Sequence, residues 1–146
     1  MTWQEFEIQA TIAASPFAQI RSTRLGQGDS TVASERTERV RDLYQAFNER
    51  DLDAVTAAMT SDVDWPNGWE GGRLVGRDSV RDYWERQWAH IRPTTTVRSI
   101  GERPDGTVEA KVRLTVRDPA GTVLSRTDVM HVYAFDGALV QRMTVQ

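Results

Sequence analysis

The feature that most constrains this chain is a change of hydrophobic period near Pro93. Before that residue, apolar side chains recur every three to four positions, as they do on one face of a helix. After it, they alternate with polar side chains, as in a strand with one buried and one solvated face. The clearest alternation covers residues 108–117, where apolar residues hold every even position. Helices followed by a run of strands are typical of the α+β class.

Three helices are predicted before Pro93, capped by Ser34, Asp51 and Asp78, because serine and aspartate side chains accept hydrogen bonds from the free N–H groups of a first turn. A short strand at residues 63–65 lies between the second helix and the third. The apolar stripes of the three helices are Val40, Leu43, Tyr44 and Phe47; Ala54, Val55, Ala58 and Met59; and Val80, Tyr83, Trp84 and Trp88.

After Pro93, four strands are expected to form an antiparallel meander. Residues 102–106 and 118–121 have the composition of turns, and Asp136-Gly137 is a hairpin signal. The simplest packing bends the sheet and lays the helices across its apolar face, leaving a conical hollow between them.

The composition excludes several classes of protein. The chain has 146 residues with 18 basic and 21 acidic side chains, so one domain is expected and no nucleic-acid or membrane surface is indicated. With no cysteine, there is no disulfide framework and no thiolate nucleophile. No apolar run is long enough to span a membrane, and no secretion signal is visible. We therefore predict a cytoplasmic location.

Residues 1–35 stand apart from this pattern as an N-terminal extension to a domain at residues 36–146. Apolar residues at helical spacing predict an amphipathic helix within residues 1–20, and residues 21–34 have the composition of a linker. Two interpretations stay open. The extension is either mobile or added sequence, or it is an arm that packs on its own domain or on a partner subunit.

Residues 62–78 hold two of the five tryptophans and four of the ten glycines. Glycines permit backbone angles that are closed to other residues, so this loop can fold tightly around a ligand. One interpretation is the rim of a ligand pocket. The other is a surface loop whose tryptophans fill the core.

Four segments, at residues 43–55, 62–66, 76–84 and 132–137, resemble the SnoaL-like branch of the nuclear transport factor 2 (NTF2)-like superfamily. Ketosteroid isomerases, polyketide cyclases, limonene-type epoxide hydrolases and many small bacterial proteins belong to this superfamily. The resemblance implies a cone-shaped α+β roll, with three helices on a curved antiparallel sheet and a pocket between them. It also implies a homodimer that packs through the outer face of the sheet.

The isomerase residues are only partly matched. Ketosteroid isomerase-like enzymes place an aspartate base directly before a proline, where this chain has Trp65, with Asp64 one position earlier. Since one step along a strand turns the side chain to the opposite face, Asp64 serves as a base only if the strand bends. The family's oxyanion tyrosine falls at Leu43, beside Tyr44, and its second oxyanion donor falls at His131.

His131 is the leading catalytic candidate and Asp64 the second. His131 shares a strand face with Tyr133, and a histidine in a dry pocket can exchange a proton or donate to an oxyanion. The alternative is a core histidine satisfied by a backbone or tyrosine partner. For Asp64, the alternative is a solvated side chain at a strand edge.

The predicted ligand is a small, planar, mostly apolar or aromatic compound with one or two oxygens. No cofactor or metal motif is found, so we predict a cofactor-independent enzyme doing proton-transfer chemistry (isomerisation, cyclisation, or hydration or hydrolysis) on an apolar carbonyl compound. The alternatives are a non-catalytic ligand-binding or dimerising module, and an interaction subunit that docks through residues 1–20. The predicted binding residues are Tyr44, Trp65, Asn67, Trp69, Trp84, Trp88 and Tyr133.

Overall fold

The computed structural model describes residues 31–146 apart from Trp69, with side chains from residue 35 onward. The helices are α1 (Thr31–Asn48), α2 (Leu52–Ala57) and α3 (Arg77–Trp88). The strands are β1 (Met59–Pro66), β2 (Arg73–Val75), β3 (Arg92–Glu102), β4 (Val108–Arg117), β5 (Val123–Asp136) and β6 (Leu139–Val145). Within the described part of the chain, no helix is long and apolar enough to cross a membrane.

The six strands form one sheet in the order β2-β1-β6-β5-β4-β3. The predicted antiparallel meander from β3 to β6 is confirmed. Two features were not predicted: β1 runs parallel to β6, and β2 pairs with β1 inside the glycine-rich loop. Register shifts in β3, β4 and β5 act as bulges, which bend strands and increase their twist.

The helices lie across one face of this curved sheet, as the α+β prediction requires. Val40, Val55 and Val80, one from each helix, are all 0% exposed. They belong to the same buried cluster as Val112 of β4 and Val140 of β6. Most of the apolar stripes predicted for the helices therefore meet the apolar face predicted for the strands. In α2, however, the predicted Ala54 is exposed and Thr56 is buried in its place.

The helix starts differ from their predicted positions. α1 begins at Thr31, so residues 31–34 of the predicted linker are helical, whereas residues 1–30 lie outside the described part. Asp51 is confirmed as the cap of α2, since its carboxylate accepts a hydrogen bond from the backbone N–H of Ala54 at 3.1 Å. α3 begins after Gly76 without a side-chain cap, and Asp78 lies within its first turn.

Arg36 joins the first part of α1 to two distant hairpin turns. Its Nε donates to the carbonyl oxygen of Gly137, and its Nη1 donates to that of Gly106, each at 3.0 Å. Its guanidinium also lies 5.3 Å from the centre of the Phe135 ring. One side chain thereby fixes α1 against the β3–β4 and β5–β6 turns.

We expect Arg36→Leu to lower the free energy of unfolding by about 1–2 kcal/mol, because two backbone carbonyls and a cation–π contact lose their partner. Urea unfolding followed by far-ultraviolet circular dichroism measures this change. Arg41→Leu is the matched control on the same helix, since among the described residues the one ion pair of Arg41 is with Glu38, at 3.9 Å. An exposed pair of this kind contributes about 0.5 kcal/mol or less. Equal losses in the two variants would contradict the role given to Arg36.

Candidate functional site

A cavity of about 190 Å³ lies between the helices and the inner face of the sheet. Its lining is mostly aromatic and aliphatic, and no aspartate or glutamate of the described residues contributes to it. No group of described His, Asp or Glu side chains is arranged to hold a metal ion. Six predicted site residues line this cavity: Tyr44, Trp65, Asn67, Trp84, His131 and Tyr133.

The other three predicted residues do not line the cavity or cannot be placed. Asp64 lies between the buried residues Val63 and Trp65, so its side chain points to the opposite face of β1. There Arg73 Nε donates to Asp64 Oδ1 at 2.7 Å, and Arg142 pairs with the other carboxylate oxygen. The register of β1 against β6 shifts between Met59 and Asp64, yet Asp64 still points away from the cavity. The condition under which Asp64 would act as a base is therefore not met.

Trp88 fills space beside the cavity instead of lining it. Its ring stacks on Trp84 with centroids 5.9 Å apart and meets Phe47 edge-on at 5.4 Å. Trp69, the remaining predicted residue, lies outside the described residues. Of the described tryptophans, Trp65 and Trp84 therefore lie at the cavity wall, and Trp88 lies in the packing behind it.

A chain of hydrogen bonds leads from the core to His131. The Tyr133 hydroxyl donates to the Tyr44 hydroxyl at 2.7 Å, and the Tyr44 hydroxyl oxygen lies 2.8 Å from His131 Nδ1. Burial lowers the pKa of His131 from 6.5 to about 4, so the ring is neutral at pH 7. Burial also raises the pKa of both tyrosines, which therefore keep their protons.

The direction of these two hydrogen bonds decides the tautomer of His131. Because the Tyr44 oxygen accepts a hydrogen bond from the Tyr133 hydroxyl, the Tyr44 hydroxyl donates to His131 Nδ1. The neutral ring therefore carries its own proton on Nε2. Nε2 makes no hydrogen bond to a described residue, yet it is not among the fully buried unpartnered atoms, which in the described part comprise Trp88 Nε1 alone. His131 Nε2–H is therefore a free donor that faces the cavity.

Gln87 is a cavity residue that the sequence reasoning missed. It is only 1% exposed, and its Nε2 donates to the Tyr83 hydroxyl at 3.0 Å. Glutamine is mostly a surface residue, so a single glutamine in a predicted helix does not by itself indicate a cavity residue. A signal was present, however, because Gln87 lies three and four positions after Trp84 and Tyr83 and hence on the apolar stripe of α3.

The glycine-rich loop lies at the edge of the cavity. Asn67 organises it: its Oδ1 accepts the backbone N–H of Glu70 at 2.8 Å, and its Nδ2 donates to the Glu70 carboxylate at 3.2 Å. Gly68 and Gly72 both line the cavity, and Gly72 is also exposed to solvent. Gly72 has a φ of 81°, which favours glycine. The loop therefore forms part of the rim between the cavity and solvent.

The depressed pKa of His131 predicts a loss of stability in mild acid. Between pH 6.5 and about 4, a histidine in the unfolded chain binds a proton that the folded chain does not. The contribution of His131 to the free energy of unfolding is therefore complete above about pH 6.5 and falls, by up to about 3 kcal/mol, as the pH drops to about 4.

Urea unfolding of the wild type and of His131→Gln at a series of pH values measures this contribution. Carboxylate titration is common to both proteins, so the difference between the two curves reports His131. We expect the wild type to lose more stability than the variant between pH 6.5 and 4. Parallel curves would contradict the depressed pKa.

Comparison with known proteins identifies the fold. The model of the family described as "SnoaL-like domain" matches residues 40–143 of the chain. A putative polyketide cyclase from Xanthomonas campestris superposes with a TM-score of 0.67 at 22% identity, covering 79% of this chain and 91% of that one. TerC, crystallised with polyporic acid, gives a TM-score of 0.67 at 21% identity, with coverage of 77% and 90%.

A third similar structure is a Mycobacterium tuberculosis protein in complex with estradiol-17beta-hemisuccinate. It gives a TM-score of 0.66 at 16% identity, with coverage of 76% of this chain and 92% of that one. The sequence matches no curated protein. The structural similarities confirm the cone-shaped α+β fold, and at these identities they are informative about fold alone.

Proposed function

This chain belongs to the SnoaL-like domain family, and from that premise we propose that it is a cofactor-independent enzyme that performs proton-transfer chemistry on an apolar carbonyl compound. The observation that carries the proposal is the Tyr133–Tyr44–His131 hydrogen-bond chain, which ends on a free N–H donor inside an aromatic cavity. Similar proteins crystallised with polyporic acid and with estradiol-17beta-hemisuccinate support a small, mostly apolar ligand.

His131 is given the role of oxyanion donor. Its Nε2–H would donate to the carbonyl oxygen of the ligand and stabilise the negative charge that develops there as a proton leaves the adjacent carbon. A neutral imidazole suits this role, because it donates a hydrogen bond without first having to be charged in an apolar site. Donors of this kind typically contribute about 10²–10³-fold to the rate.

Asp64 has no reacting role in this proposal. Its carboxylate lies on the other face of β1, between Arg73 and Arg142. Both of its oxygens are occupied by these guanidinium groups, so the carboxylate does not reach a ligand in the cavity. The proton that leaves the ligand would instead pass to water at the rim near Gly72.

A non-catalytic ligand-binding protein is the second candidate. It is favoured by the lining itself, which contains no carboxylate base among the described residues. A histidine whose pKa lies near 4 is also a weak base at neutral pH. In this alternative the same cavity and the same donor bind a carbonyl compound without turnover.

Exchange of the α-protons of 1-tetralone, a small bicyclic ketone, separates the two candidates. In deuterium oxide at pH 7, nuclear magnetic resonance measures how fast the protein replaces those protons. We expect the wild type to accelerate exchange and His131→Leu to reduce the acceleration by about 10²–10³-fold. Asp64→Asn is the control, and we expect it to stay close to the wild-type rate because its side chain lies away from the cavity.

Near-ultraviolet circular dichroism establishes that each variant is folded. Equal loss of exchange in His131→Leu and Asp64→Asn would contradict the role of His131. Saturable binding of the ketone without exchange would favour the non-catalytic alternative. Failure to bind the ketone at all would count against both.

Pairing of two copies through the outer face of the sheet also belongs to this proposal, on the strength of the family resemblance. Met130 of β5 lies on that face and is partly exposed, beside β4. In sedimentation velocity we expect the 16.5 kDa chain to migrate as a dimer and Met130→Glu to migrate as a monomer. A monomeric wild type would contradict the pairing.

A further inference from the structure

We propose that Gln87 is a second recognition group in the cavity, and that it selects carbonyl ligands carrying a hydroxyl or N–H donor at the end away from the carbonyl group. The inference rests on the proposed function, because it takes His131 Nε2–H as the partner of the carbonyl oxygen. It adds the chemical class of the ligand, which must present one acceptor and one donor.

The free atom is Gln87 Oε1. The side-chain amide of Gln87 donates through Nε2 to Tyr83, and Oε1 accepts no hydrogen bond from any described residue. Oε1 is nevertheless absent from the fully buried unpartnered atoms, which in this part of the chain comprise Trp88 Nε1 alone. Since Gln87 is 1% exposed and lines the cavity, the small surface that it retains includes Oε1 and faces the cavity.

The free donor, His131 Nε2, and the free acceptor, Gln87 Oε1, lie on different walls of the cavity. His131 lies on β5 and Gln87 on α3. Three contacts between aromatic rings separate His131 from Trp84, which lies one helical turn before Gln87 on α3. The centroids are 6.2 Å apart from His131 to Tyr133, 6.1 Å from Tyr133 to Trp65 and 5.5 Å from Trp65 to Trp84. A ligand whose two polar groups lie at opposite ends of a flat apolar body fits this arrangement better than one with adjacent groups.

Desolvation gives the site its selectivity. An apolar ligand end placed against Gln87 Oε1 removes the water that this acceptor would otherwise contact and offers nothing in return. A hydroxyl or N–H at the same point replaces that lost hydrogen bond. Sites built around a buried polar group therefore reject analogues that lack the matching partner.

The rival explanation is structural, with Gln87 present only to hold the Tyr83 hydroxyl. Two variants separate the explanations. Gln87→Met keeps the length of the side chain but removes both the acceptor and the bond to Tyr83. Tyr83→Phe removes that internal bond and keeps the Gln87 acceptor.

The probes are 1-tetralone and 6-hydroxy-1-tetralone, which differ only by a hydroxyl opposite the carbonyl. Isothermal titration calorimetry gives the Kd of each. We expect the wild type to bind the hydroxylated ketone roughly fivefold more tightly or better, the value of one ordinary hydrogen bond. The preference should disappear in Gln87→Met, mainly because the parent ketone then binds more tightly with no acceptor left to desolvate. The preference should persist in Tyr83→Phe.

A wild type that binds both ketones equally would overturn this inference and leave the proposed function standing. Preference retained in Gln87→Met, or lost in Tyr83→Phe, would also overturn it, because the selectivity would then come from elsewhere or from the structural bond. Binding of neither ketone would overturn the proposed function and this inference together.

Discussion

The hydrogen bonds that join Tyr133, Tyr44 and His131 are the interaction on which the interior depends. They connect β5 to α1 across the centre of the molecule, 2.7 and 2.8 Å in length. Tyr44 and Tyr133 are 3% and 0% exposed, so neither hydroxyl can exchange its partner for bulk water. An unpaired hydroxyl at this depth would cost about 1–3 kcal/mol. These hydrogen bonds therefore fix three polar side chains in one arrangement at the wall of a mostly apolar cavity.

This arrangement explains why the cavity has a polar end and why that end is neutral. Burial disfavours the charged form of each group in the chain, so the histidine stays unprotonated and the tyrosines stay protonated. A neutral network costs less to bury than a charged one, and its one free proton is aimed at the cavity. Gln87 on α3 supplies a hydrogen-bond acceptor, Oε1, to the same cavity. The rest of the wall is mostly apolar, and its other polar side chains are those of Asn67, Tyr83 and Thr95.

Much of the fold was predictable because its helices, strands and turns follow from patterns of neighbouring residues along the chain. The alternation at residues 108–117 and the turn at Asp136-Gly137 led directly to the meander, and the caps and apolar stripes led to the helices. The strand pair β1–β6 was not predictable, since parallel strands distant in the chain have no turn between them to signal the pairing. The site was partly predictable. The orientation of His131 followed from strand alternation, whereas the hydrogen bond to Tyr44, 87 residues away, did not.

The sequence by itself determined the class of fold, the face on which each side chain of a regular element lies, and the aromatic character of the interior. Only the tertiary structure decided which of those inward-facing groups meet. It placed Asp64 between two arginines on the outer face, Trp88 in the packing behind the wall, and Gln87 in the cavity. The physical reason is that periodicity is a property of neighbours along the chain. Hydrogen-bond partners and pKa values are instead set by burial among residues that the chain brings together from far apart.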